Sequence, residues 1–248
     1  MPDPWLPLPL LAPILIALAF LAGSVPFSLL IGKFNGIDIR SVGSGNVGAT
    51  NLGRALGRKF FFFGLFADML KGVVPVVVAG FALGIIAHWE APLDRTWIWL
   101  ACVVASVLGH VFSPWIGFKG GKGVATGFGA LLGVFPMLTL AGGGTLAVFL
   151  ICFAIWRRIS LGSIVGAMSV CAWVLLLAFR SDGWRVGGLL RGSSGIYFWV
   201  TLAIGLLVVW THRSNIKRLI DGTEPEYRPG KGQASTNPAG PTAAPAMK

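Results

Sequence analysis

Residues 10–31 read LLAPILIALAFLAGSVPFSLLI, without one charged side chain. A helix of about 20 apolar residues, rising about 1.5 Å each, crosses the hydrocarbon core of a bilayer, so this stretch reads as a membrane span. It is longer than the apolar core of a signal peptide, and only Asp3 precedes it where a basic segment would stand. The same length test selects residues 60–87 (interrupted by Asp68 and Lys71), 96–112, 160–179 and 195–211. Residues 124–156 are too long for one span, and Pro136 near their middle divides them into a tight hairpin of two, the alternative being one tilted helix plus a re-entrant piece. The expected fold is all-α, a polytopic membrane protein of about seven transmembrane helices, with residues 1–227 as a single integral-membrane domain.

Composition points to the same solvent. Hydrophobic residues make up 55% of the 248, charged residues 12%, and the mean hydropathy is +0.78, whereas soluble domains carry about a quarter charged residues. Cys102, Cys152 and Cys171 all lie in apolar runs and read as small core residues rather than a disulfide framework. Twenty Lys and Arg against nine acids give +11 and a pI near 10.3. In a soluble protein that excess would suggest nucleic acid; in a membrane protein the position of each charge decides. Residues 33–59, 114–122, 157–158 and the stretch after Thr211 share one side and hold most of the basic residues. The other side holds Arg95, Arg180, Arg185 and Arg191. The positive-inside bias places the first side in the cytoplasm, with the N-terminus outside and the C-terminus cytoplasmic. The loop 180–194 runs against that bias. Residues 228–248, rich in Pro, Gly and Ala, have no apolar face to bury and read as a disordered cytoplasmic tail.

The chemistry falls in the cytoplasmic segments. Residues 43–54 read GSGNVGATNLGR. Gly43, Gly45 and Gly48 let backbone N–H groups converge into an anion nest, while Ser44, Asn46, Thr50 and Asn51 add hydrogen-bonding groups. Arg54 supplies a planar cationic fork suited to phosphate. Residues 117–126, GFKGGKGVAT, run directly into an apolar segment, so the amides around Gly120, Gly121 and Gly123 are expected at a helix N-terminus, with Lys119 and Lys122 as full charges. The likeness to a nucleotide-binding phosphate loop is superficial: Gly123 stands where a Mg²⁺-binding Ser or Thr belongs, and Ile116 where the first glycine belongs. A smaller phosphorylated ligand fits better. The third cluster follows the last span, where His212 and Asn215, three apart, share a helix face.

Ser160 stands at a cytoplasmic helix start, as a cap or a substrate contact. Asp68 and Lys71, three apart within a span, are expected to pair with each other or with loop charges as scaffolding, since an unpaired charge there costs about 2.5–3.5 kcal/mol or more. His110 reads as a core or interfacial residue, and His88 and Glu90 fall on the opposite side. No metal-ligand motif or nucleophile elbow is present.

Residues 43–54, 118–126 and 212–224 resemble, in order, the three signature motifs of the bacterial acyl-phosphate:glycerol-3-phosphate acyltransferase family. The flanking Gly23-Ser24-Val25-Pro26-Phe27, Asp38-Ile39-Arg40 and residues 68–72 are similar to it as well. The resemblance implies a seven-span bacterial inner-membrane enzyme whose active site faces the cytoplasm. It implies transfer of a fatty acyl group from acyl phosphate to the 1-hydroxyl of glycerol 3-phosphate, giving lysophosphatidic acid and phosphate, with no cofactor, metal or nucleic acid. The implied partners are glycerol 3-phosphate, fatty acyl phosphate and membrane lipid. Carried over by position, Lys119, Lys122, Gly120, Gly121 and Gly123 hold glycerol 3-phosphate. Ser44, Gly45, Asn46, Thr50, Asn51 and Arg54 hold phosphoryl and acyl oxygens, and Ser160, His212 and Asn215 complete the site. Ser44, Arg54, Lys122, His212 and Asn215 form the catalytic set, and Glu224 is the structural glutamate that ties the tail to a basic loop. The competing readings are an organophosphate transporter gated by Asp68 and Lys71, and a structural lipid-binding protein.

Overall fold

The computed structural model describes residues 1–182 and 193–227, and the regular structure among them is helical. In chain order the helices are α1 Leu8–Ser24, α2 Phe27–Phe34, α3 Ala49–Leu56, α4 Arg58–Ala82 and α5 Leu93–Val111. A 3₁₀ turn at Pro114–Ile116 follows, then α6 Val124–Gly133, α7 Met137–Trp156, α8 Ile159–Asp182, α9 Ser193–Thr211 and α10 Arg213–Ile220. The residues 183–192 of the expected outer loop, and the tail 228–248, lie outside the described residues.

Five stretches are long and apolar enough to cross a bilayer: Leu8–Phe34, Arg58–Ala82, Leu93–Ile116, Met137–Trp156 and Ile159–Ala178. Gly195–Thr211 with Arg213–Ile220, bent by 62°, makes a sixth if taken as one. By length, then, the expected seven reduce to five or six among the described residues. The hairpin at Pro136 is present but unequal, with 10 residues in α6 and 20 in α7. α6 ends at Gly133, just before the Pro136 turn, and packs on α4 so closely that glycine is required on both sides. A Cβ on Gly72 would meet the Thr126 carbonyl oxygen, and one on Gly129 the Met69 carbonyl oxygen. In lipid, where apolar burial gives helices little reason to associate, such backbone proximity supplies the contact. Gly72→Leu is therefore expected to cost about 1–3 kcal/mol through overpacking and to lower the thermal midpoint in detergent. Gly143→Ala, whose added Cβ meets nothing within 4 Å, is expected not to lower that midpoint.

The first span is also broken. Val25 is extended (φ −61, ψ 120) because the following Pro26 disfavours the helical conformation before it. The Lys71 ammonium donates to the Val25 carbonyl at the break (2.8 Å) and pairs with Asp68 (3.0 Å), which also accepts from the Ser28 hydroxyl (3.0 Å). Asp68 and Lys71 thus pair with each other, as expected. The main core gathers around Trp99, whose indole N–H donates to the Val76 carbonyl (2.8 Å). Cys102, Cys152 and Cys171 are buried free thiols.

Backbone bonds sort the helix ends into two faces. The Trp5 amide donates to the Ala82 carbonyl (3.0 Å), and the Ala87 amide to Phe135 (3.1 Å), which places the N-terminus and the α6–α7 turn beside the end of α4. At the other face the Ser113 hydroxyl donates to the Ser24 carbonyl (2.6 Å) and the Tyr227 amide to Arg157 (2.8 Å).

Candidate active site

At that second face a cavity of about 860 Å³ opens between the first loop, the second loop and the α9–α10 junction. Its cations come from separate elements: Arg40 and Arg54, Lys119 and Lys122, Arg213 and Arg218. Phe112 and Trp210, 6.2 Å apart between ring centroids, form an apolar wall. Ser44, Gly45, Asn46, Arg54, Lys119, Gly120, Gly121 and Lys122 reach the cavity as the sequence predicts, whereas Thr50 and Gly123 are not among its walls. Among the described residues no three His, Cys, Asp or Glu side chains converge, so what is assembled here is a set of cations and hydroxyls.

The first loop is organised by Asn51 rather than by a ligand. Asn51 is buried, donates to the Ile39 (2.6 Å) and Val42 (3.1 Å) carbonyls and accepts the Ser44 amide (3.0 Å). Sequence reading gives it a substrate contact; in the structure its amide group shapes the loop. Leu29, Ile39, Val47 and Leu52 form a small second core beneath. Gly57, at φ +98, lets α3 turn sharply into α4, and Arg54 in the last turn of α3 faces the cavity. Neither Arg54 nor Lys119 makes a side-chain hydrogen bond among the described residues. Burial pulls Arg54 below the usual arginine value; the Glu224 charge opposes that and Arg218 adds to it.

The second loop, whose amides the sequence places at a helix N-terminus, commits two of them elsewhere. The Gly120 amide donates to the Val111 carbonyl (2.9 Å) and the Gly121 amide to His110 (3.1 Å), so both are committed to the end of α5. Their missing side chains serve close packing: a Cβ on Gly120 would meet the His110 carbonyl oxygen, and one on Gly121 the His110 ring. Both lysines of this loop line the cavity, and α6 begins directly after the loop at Val124, as the sequence predicts. Burial pushes the Lys122 ammonium down to about 8, with Glu224 opposing and Arg218 and Arg54 reinforcing.

The third cluster centres on Glu224, which sequence reading marks as structural. One carboxylate oxygen accepts from Ser160 (2.6 Å) and Asn215 (2.7 Å), the other from Arg218 (2.7 Å). Asn215 in turn accepts the Lys122 ammonium. Ser160 is therefore a tether for Glu224, and Asn215 holds a lysine in place. His212 is buried at the α9–α10 bend, with Nδ1–H on the Val208 carbonyl (2.8 Å). Burial and the nearby Lys122 charge hold it down to about 4, so it is neutral near pH 7. Neither His212, Asn215 nor Ser160 lines the cavity. Arg40, Arg213, Ser214 and Arg218 do, unassigned by sequence reading although all lie in or beside the quoted motifs; their residue types were the available signal.

A helical membrane bundle that gathers six cationic side chains with hydroxyls in one cavity at one face is a membrane protein with the chemistry to hold a phosphate-like anion. The chain belongs to the glycerol-3-phosphate acyltransferase family, whose model matches residues 13–222. It is 43% identical to the glycerol-3-phosphate acyltransferase of Geobacter sulfurreducens over 215 residues, 87% of this chain and 97% of that one. It is 37% identical to that of Aquifex aeolicus over 214 residues, 86% and 97% of the two chains. Among solved structures it is similar to PlsY (YgiH), an integral membrane glycerol 3-phosphate acyltransferase, in the glycerol 3-phosphate form (TM-score 0.70, 37% identity, 88% of this chain and 96% of that one). The lysophosphatidic acid form of that protein gives a TM-score of 0.68 at 36% identity, covering 88% and 95%.

Proposed function

We propose that this chain transfers a fatty acyl group from acyl phosphate to the 1-hydroxyl of glycerol 3-phosphate, forming lysophosphatidic acid and inorganic phosphate. The observation that carries the reading is the convergence of Arg54 from α3 with Lys119 and Lys122 from the second loop on one cavity beside the apolar wall of Phe112 and Trp210. The forms in which the related structure was solved support it. Lys119 and Lys122 take the phosphate of glycerol 3-phosphate; Ser44, Asn46 and Arg54 take the oxygens of the acyl phosphate. The hydroxyl oxygen attacks the acyl carbon, the bond from that carbon to the phosphate oxygen breaks, and the departing phosphate receives the hydroxyl proton. The donor is a mixed anhydride and arrives activated, so orientation and fixed charge at the developing oxyanion are what the protein has to supply.

His212 as general base is the competing route. Its value of about 4 and its absence from the cavity wall favour the phosphate as acceptor, although the bond from Nδ1–H to Val208 leaves Nε2 unprotonated. Turnover is expected to show no inflection at the usual histidine value. His212→Asn, which can still donate to Val208, should keep kcat within about tenfold of wild type, and equal loss in the Asn and Ala variants would establish the base. The Lys122 cation exists below about pH 8 and is lost above it, so KM for glycerol 3-phosphate should rise on the alkaline side, and Lys122→Arg should flatten that limb.

In this reading residues 1–227 form one domain with seven crossings, the N-terminus outside and the cavity facing the cytoplasm of a bacterial inner membrane, followed by a cytoplasmic tail at 228–248. The Ala87–Phe135 bond, which brings the end of α6 to the far face, supports α6 as a short crossing. The concentration of Lys and Arg at the cavity face supports the orientation. The deciding test supplies palmitoyl phosphate and glycerol 3-phosphate to purified protein in detergent, without nucleotide or metal. Phosphate release that needs both substrates upholds the proposal. No release from protein that still binds glycerol 3-phosphate overturns it in favour of transport, read by vesicle uptake.

A further inference from the structure

We propose that His110 is a positioning residue of this site, the floor on which residues 120–122 rest and which sets where the Lys122 ammonium stands. The inference rests on reading the cavity as a glycerol 3-phosphate site. His110 lies in the last turn of α5, is 6% exposed and does not line the cavity, so it acts only through what lies on it. Its carbonyl accepts the Gly121 amide (3.1 Å), and its ring occupies the place where a Gly121 side chain would be. One residue further, Lys122 is held at both ends: its ammonium by Asn215, its carbonyl by the Thr211 hydroxyl (3.1 Å). The ring is fixed from below as well. Nδ1 is 3.1 Å from the Thr126 hydroxyl of α6 and 3.9 Å from Asp68, which Lys71 and Ser28 hold in turn. The imidazole therefore bridges α5 and α6 beneath the loop that joins them. A buried polar contact of this kind is costly to leave unmade, which keeps both the gap between the helices and the height of the loop constant.

The contact between ring and glycine makes the proposal testable as a pair. Gly121→Ala pushes a methyl group into the imidazole, and His110→Ala vacates that space. His110→Ala is expected to raise KM for glycerol 3-phosphate about tenfold with kcat changed less than about threefold. Gly121→Ala should raise KM by about thirtyfold or more, and the double variant should recover about tenfold relative to Gly121→Ala alone. Thr126→Val, which removes only the hydroxyl facing Nδ1, should raise KM about threefold and serves if His110→Ala does not fold. A fall in kcat at constant KM, effects that simply multiply in the double variant, or an unchanged KM in Thr126→Val would each overturn the proposal. Should wild-type protein fail to transfer acyl groups, the proposed function falls. The same cycle read as melting temperatures then decides the positioning contact: coupling between the two substitutions upholds it and additivity overturns it.

Discussion

Arg54→Ala is expected to lower kcat/KM about a thousandfold while the protein stays folded. Removing one preorganised donor from a developing oxyanion costs about 10²–10³ in rate, and Arg54 combines charge, partial burial and a guanidinium with no hydrogen-bonded partner among the described residues. That freedom also predicts the intact fold, since the side chain ties no two elements together. Arg54→Lys restores the charge without the planar fork and should recover about a tenth of wild-type activity. Steady-state phosphate release with a thermal melt on each variant checks both halves. Activity of Arg54→Ala within tenfold of wild type would remove this residue from the reacting phosphate.

Glu224→Gln should fail differently, losing stability and activity together. The carboxylate is the point at which Ser160 of α8, Asn215 and Arg218 of α10, and through Asn215 the Lys122 ammonium, are joined. Removing one partner of a buried ion pair costs about 3–5 kcal/mol; with Arg218 38% exposed, about 2–3 kcal/mol is expected here. The uncompensated charges of Arg218, Arg54 and Lys122 would then repel one another, and KM should rise with the fall in thermal midpoint. The pH dependence has a definite sign. Burial raises the Glu224 carboxyl, but hydrogen bonds from Ser160, Asn215 and Arg218 outweigh it and hold the group below its usual range. Its stabilising contribution is present above the unfolded value and is lost as pH falls through the folded one. Wild-type protein should lose stability on that acid side, and Glu224→Gln should lose less. A melting profile unchanged by the substitution at every pH would show that the junction holds without the carboxylate.

Apolar run length located most of the bundle, because lipid imposes one length on every crossing: residues 96–112 became Leu93–Val111, and 195–211 became Ser193–Thr211. Pro136 marked a real turn. The pairing of Asp68 with Lys71 could be read from their spacing on a helix, since neither charge tolerates isolation there. Run length failed at α6, where glycines on both helices allow close packing with few residues, and at Val25, where one proline breaks an unbroken apolar run. In the site, residue type located the three motifs but not the direction of their donors. A glycine-rich loop looks the same whether its amides face an anion or a neighbouring carbonyl, and Gly120 and Gly121 took the second course. Ser160 and Asn51 are equally suited to a ligand and to an internal partner. The partner of Ser160 lies 64 positions away, beyond any local pattern.

The engagement of those loop amides within the protein bears on how a ligand arrives. Under the proposed function, with Asn51 bracing one loop and the end of α5 bracing the other, neither has to become ordered around an anion, so the cavity presents its charges before any encounter. A site of that kind selects during approach, by the reach of its field, rather than afterwards by closing. Capture is then set by the salt around the membrane surface and by how quickly a charged headgroup diffuses along it.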